Sequence, residues 1–165
     1  MSQNTTKSTE KQQQPQELPK YQFNHSVTYA GKRTISRNGV ETPLQGSKMT
    51  LCVLPSTVNG IYIVSHSIVS SKDVFSKKRG RQITSGRIEK HLKFLSTRVD
   101  YPCLGEYKID TGLVKEPEAG GNGDPIIAVV KHYEYAEVVI VDSALDPREQ
   151  MDIVMYIYET GAVDY

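Results

Sequence analysis

Apolar and polar positions along the chain follow two periods. Residues 49–54 and 61–69 are dense in β-branched, aliphatic and aromatic side chains, the composition of strands. The segment between them ends in Asn59-Gly60, a turn signal, so the two runs are expected to form an antiparallel hairpin. Asn38-Gly39 separates residues 34–37 from 40–42 and predicts a second, smaller hairpin. Residues 126–130 and 133–141 read as two further strands. Elsewhere between 23 and 47, Gly31, Gly39, Pro43 and Gly46 break the pattern into short polar pieces.

The helical period occurs twice. Ile88, Leu92 and Leu95 mark one face in a charged stretch from 72 to 95, with Ser70 as the expected N-cap and Asp73 three positions on. Gly80 and Ser85-Gly86 leave two forms open there: one imperfect helix, or a short turn followed by a longer helix from about residue 86. Met151, Val154, Met155 and Tyr158 form the other stripe, opened by Asp146-Pro147-Arg148-Glu149 and closed by Gly161. The β-branched content of residues 153–158 keeps a strand as the rival there. The pattern is α+β: a mostly antiparallel sheet with a basic helix after the second strand and a possible C-terminal helix. Residues 1–22 are polar and read as a disordered tail, 23–165 as a single α+β domain, and 115–125 as a loop.

Composition narrows the class. The chain has 165 residues, 38% of them hydrophobic, and a mean hydropathy of −0.45. No apolar run approaches the ~20 residues of a membrane span. The first twenty residues carry no apolar segment of a secretory signal, so neither a membrane nor a secreted protein is expected. Two cysteines, Cys52 and Cys103, make no disulfide framework and point to a reducing cytoplasm. His25, His66, His91 and His132 lack ligand spacing, so no metal and no cofactor is expected.

The formal net charge of +1 conceals a division. Residues 72–98 hold nine Lys/Arg against two Asp/Glu, a balance of +7, whereas 99–165 hold four against fourteen, a balance of −10. Lys77-Lys78-Arg79-Gly80-Arg81 is the densest point. Clustered cations beside glycine and a helix start suit phosphate contact, because Arg offers a bidentate fork and helix N-termini present open N–H groups. The candidate ligand residues are Ser71, Phe75, Lys77, Lys78, Arg79, Arg81 and Arg87. Arg81 and Arg87 are the expected phosphate forks, Lys77 and Lys78 the supporting charge, and Phe75 a stacking platform. A −10 face opposes long duplex, whose charge is dense, more than a compact anion. Opposite faces of +7 and −10 also predict a homo-oligomer.

Residues 71–88, SKDVFSKKRGRQITSGRI, resemble a pattern in small accessory proteins of bacteriophages, in which a strand runs into a Lys-Asp-x-Phe-Ser-Lys-Lys-x-Gly-Arg segment and a Gly-Arg-hydrophobic step. The resemblance covers about eighteen residues, carries no catalytic residues, and implies a viral accessory role such as countering host defence in the host cytoplasm. The resulting expectation is a non-enzymatic protein that binds a small phosphorylated, nucleotide-like ligand and sequesters it as a signal. A nucleic-acid-binding protein using the same basic segment is the first alternative. The second is a small enzyme acting on a nucleotide, with acid–base candidates His66, His132, Asp124, Glu134 and Glu137. In that reading His132 and Glu134 share a strand face at i, i+2.

Overall fold

The computed structural model describes residues 20–69, 73–114 and 123–162. Most of the expected tail, most of the expected loop at 115–125, and Ser70 and Ser71 lie outside these residues. The elements in chain order are β1 (Gln22–Thr28), β2 (Thr34–Arg37), β3 (Val40–Pro43), β4 (Lys48–Pro55), β5 (Ile61–Ile68), α1 (Lys77–Thr97), β6 (Gly105–Val114), β7 (Pro125–His132), β8 (Glu137–Ile140) and α2 (Pro147–Glu159). Six strands form one antiparallel sheet in the order β1-β4-β5-β8-β7-β6, and β2-β3 is a separate hairpin.

Both expected hairpins form. Asn38 and Gly39 have φ of 53° and 77°, the left-handed pair that a two-residue hairpin turn requires. In β4 the side chains alternate: Met49, Leu51 and Val53 point to one face, Cys52 and Leu54 to the other. The first face carries the main core, joined by Val64, Val130 and Val139 of the sheet and Ile153, Val154 and Ile157 of α2. Each such buried aliphatic side chain contributes roughly 1.5–3 kcal/mol. Gln150, also buried, fixes the register of α2 by accepting from the Tyr62 hydroxyl at 2.8 Å and donating to the Leu145 carbonyl at 2.8 Å.

The stretch at 147–159 is a helix and not the rival strand. The Asp146 carboxylate accepts from the Arg148 and Glu149 N–H groups and Pro147 starts the first turn. The strand expected over 133–141 is shorter, because Tyr133 N–H bonds back to the Ala136 carbonyl and makes a turn of those residues. Glu134 therefore sits in that turn, not beside His132 on a strand.

The other helix differs from expectation in three ways. It follows β5, the fifth strand in chain order. It is one continuous helix capped by Ser76, whose hydroxyl accepts from Arg79 N–H at 3.2 Å, while the described residues before it are non-helical. Its buried face is Gly80, Thr84, Ile88 and His91, whereas Leu92 and Leu95 are exposed. Gly80 sits against β4: a Cβ there would lie 2.9 Å from Thr50 Cβ. Thr84 and Ser85 return their hydroxyls to carbonyls one turn back, so neither competes with the helix.

Two glycines of one helix should thus respond in opposite directions. Gly80→Ala is expected to destabilise the protein by roughly 1–3 kcal/mol through overpacking against Thr50, despite the better helix propensity of alanine. Gly86→Ala, whose Cβ meets nothing within 4 Å, is expected to stabilise it by up to about 1 kcal/mol. Urea denaturation of the two variants beside the parent measures both.

Candidate functional site

The N-terminus of α1 opens on a cavity of about 460 Å³. Arg37 of the small hairpin, Ser76 and Arg79 of the helix start, and Thr50 and Ser67 of the sheet give it polar walls. Ile35, Leu44, Ile68 and Ile83 give it an aliphatic one. The first turn of α1 is Lys77, Lys78 and Arg79, with no acidic residue. Cations at the positive end of a helix macrodipole are unfavourable, and an anion placed there reverses the sign. Among the described residues the one carboxylate lining the cavity is Asp73, 3.5 Å from Arg37 in an exposed pair.

A second cavity, of about 520 Å³, lies where β8 begins. Its walls include Arg33, Ser65, His66, Arg87, His132 and Glu137. Glu137 is 3% exposed, and its Oε1 lies 3.1 Å from His66 Nδ1. The other ring nitrogen, Nε2, is 2.7 Å from Arg33 Nη2. A guanidinium only donates, so Nε2 accepts and the ring proton sits on Nδ1, toward Glu137. Arg33 is held in turn by the Tyr29 hydroxyl, which accepts from its Nε at 3.1 Å. Arg87 donates from Nη1 to the His66 carbonyl at 2.6 Å. Tyr158 stacks obliquely near His66, and burial together with the Glu137 charge pushes its phenol well above the usual range.

The structure divides the seven candidate ligand residues. Arg79 lines the first cavity and Arg87 the second. Lys77 and Lys78 are exposed in the first turn. Phe75 is half-buried, edge-on to His25 at 6.0 Å and beneath Lys48 Nζ at 5.1 Å, and lines neither cavity. Arg81 is exposed on the side of His25. Ser71 lies outside the described residues. Of the acid–base candidates, His66, His132, Glu134 and Glu137 meet at the second cavity, whereas Asp124 is exposed at the start of β7.

Sequence reasoning missed Arg37 and Arg33. Arg37 is marked only by its place before Asn38-Gly39, and nothing local to Arg33 announces its histidine partner. Among the described residues no group of three or more His, Cys, Asp or Glu is arranged to hold a metal ion. Cys52 is fully buried and its thiol is pushed up to about 12 by that burial, so it is no nucleophile.

Two histidines on the α1 face titrate below their ordinary value. His91 is fully buried against the rings of Tyr101 and Tyr133, with Nδ1 2.8 Å from the Tyr101 hydroxyl, and its burial disfavours the charged ring. His25, with Nδ1 3.0 Å from Thr50 Oγ1, is lowered by burial and by the charges of Arg81 and Lys77. The unfolded chain protonates histidine near pH 6.5, before the folded protein does, so acidification below that point favours unfolding. Thermal melts should show Tm falling as pH drops from about 6.5, and His91→Gln should flatten part of that slope.

No protein-family model, no curated protein and no solved structure matches the chain.

Proposed function

We propose that the protein binds a small phosphorylated ligand of nucleotide size at the N-terminus of α1 and holds it without turnover. The observation that carries this reading is the cationic first turn, Lys77-Lys78-Arg79, with no acidic residue, opening on a cavity that also presents Arg37. Its volume of about 460 Å³ lies in the range of small-molecule sites. Arg37, Arg79 and the N–H groups of the first turn face the phosphate, and Ile35, Leu44, Ile68 and Ile83 face the base. Aliphatic side chains thus take the place expected of Phe75. Together with the phage-like pattern at 71–88, the reading extends to sequestration of a phosphorylated signal. Binding without turnover is supported by the distance in kind between this cavity and the His66–Glu137 pair, which lines a different one.

Isothermal titration with adenosine and guanosine monophosphates, inorganic phosphate and a long DNA duplex tests the reading. Saturable nucleotide binding is expected, weakened about tenfold or more by Arg79→Ala and by Arg37→Ala, as for loss of a charge-assisted hydrogen bond. The nucleotide should be recovered intact from denatured protein. Binding that grows with duplex length and collapses with salt would instead make the exposed basic face of α1 a nucleic-acid surface. Absence of nucleotide binding overturns the proposal.

A further inference from the structure

The β2-β3 hairpin supplies Ile35 and Arg37 to the cavity at the start of α1, and Leu44, just past β3, lines the same space. Among the described residues it pairs with no strand of the main sheet. Within it only Ile35 and Thr42, opposite each other in its register, are half-buried, and the rest is exposed. A two-stranded hairpin is marginal by itself in water, so its position has to come from its ends and its side chains. The root is held on several sides. Leu44 N–H donates to the Arg33 carbonyl at 2.8 Å and so draws the two legs together. The backbone N–H and Nε of Arg33 both donate to the phenol oxygen of buried Tyr29, at 3.3 and 3.1 Å. Arg33 Nη2 donates to His66 Nε2 at 2.7 Å, and Glu137 Oε1, 3.1 Å from Nδ1, keeps the ring proton on the other side. Near the tip the hold is weaker: Arg37 meets Asp73 at 3.5 Å in an exposed pair.

We propose that the hairpin is a clamp over the cavity at the start of α1, and that His66 and Glu137 are positioning residues that hold its root through Arg33, a role that rests on the nucleotide reading of that cavity. Arg33 is not among the cavity's lining residues, so it acts on an occupant through the hairpin. Ile35 and Arg37 follow it at i+2 and i+4, positions that share a face in a strand. Fixing the Arg33 side chain on β5 therefore sets where Ile35 and Arg37 point. The buried carboxylate gives the imidazole one tautomer, and in that tautomer Nε2 is an acceptor for the guanidinium. A phosphate that takes Arg37 from Asp73 then ties the tip as well, and the occupant is held between α1 and the hairpin. Residence time in the cavity is thus set partly by a network outside it.

The test reads the hairpin in the full chain at neutral pH. Side-chain nitrogen NMR should show His66 protonated on Nδ1 and not on Nε2. Adenosine or guanosine monophosphate at saturation should slow hydrogen exchange of the hairpin amides, residues 35–42, about tenfold or more. Arg33→Met keeps the aliphatic stem and removes the guanidinium. It should lower the backbone order parameters of residues 35–42, leave those of the main sheet unchanged, and speed nucleotide release about tenfold or more. A merely structural role would spread the disturbance into the main sheet. A proton on His66 Nε2 overturns the proposal, as does an unchanged release rate in Arg33→Met. The tautomer and the exchange are measured on the parent protein, so the proposal stays testable even where Arg33→Met does not fold. Nucleotide binding that leaves the hairpin amides unprotected overturns the clamp alone, whereas absence of nucleotide binding overturns the site and the clamp together.

Discussion

Strand β8 is four residues long and pairs with only the first half of β5, from Ile61↔Ile140 to Val64↔Glu137. Past Val64, β5 runs on to Ile68 with no strand on that side among the described residues. Buried backbone groups left unpaired cost on the order of 1–3 kcal/mol each. The Arg87 guanidinium answers this by reaching from α1 to the His66 carbonyl, so one side chain both finishes the sheet edge and ties the helix to it. The late start of β8 also leaves Glu137 nearly fully buried at its first position. A lone carboxylate there would cost several kcal/mol. His66 lies two residues along β5 from Val64, the residue opposite Glu137, and so presents its ring on the same face. Arg33 then closes the far side of the imidazole. A charged network inside a sheet is thus the consequence of one strand starting late.

The basic segment acquires its meaning from the continuity of α1. With Gly80 and Gly86 accommodated, the helix runs unbroken for 21 residues and turns one charge-rich stretch into separate faces. Arg79 and Arg87 lie about 12 Å apart along the axis at 1.5 Å per residue. Each therefore meets a different cavity, while the charges of Arg81 and Lys77 act on His25. A +7 segment read along the chain looks like one patch. Wound into a helix and laid on a sheet, it is several environments.

What could be read from the sequence was local. Asn38-Gly39, Asn59-Gly60 and Asp146-Pro147 each specify backbone geometry within a few residues, and the two hairpins and the last helix followed from them. Strands β1 and β6 were invisible because both are edge strands interrupted by irregular register, between Asn24 and Val27 and between Asp110 and Val114, so alternation is broken where it would be counted. The buried face of α1 was missed because Gly80, Thr84 and His91 are not apolar. That face needs a small residue against Thr50 and a ring edge-on to the stacked Tyr101 and Tyr133, demands set by the partner surface. His66 and Glu137 were named as acid–base candidates, but their pairing depends on where β8 starts, and that depends on the Tyr133–Ala136 turn.

The two cavities differ in what an incoming anion must displace. At the start of α1, Arg37 touches Asp73 at 3.5 Å with both side chains about half exposed, 48% and 55%. Such a pair contributes only ~0–1 kcal/mol, and Asp73 released from it returns to water with no charge left buried. A phosphate, with more acceptor oxygens and more charge, exchanges with it at little cost. At the second cavity Arg33 is bonded to a buried imidazole backed by a buried carboxylate, with side-chain exposures of 12% and 4%. An anionic oxygen in the place of that guanidinium would face the Nε2 lone pair with a carboxylate behind the ring, so no comparable exchange is open there. Exchange of a guanidinium from protein carboxylate to ligand at little cost is accordingly confined to the cavity at the start of α1.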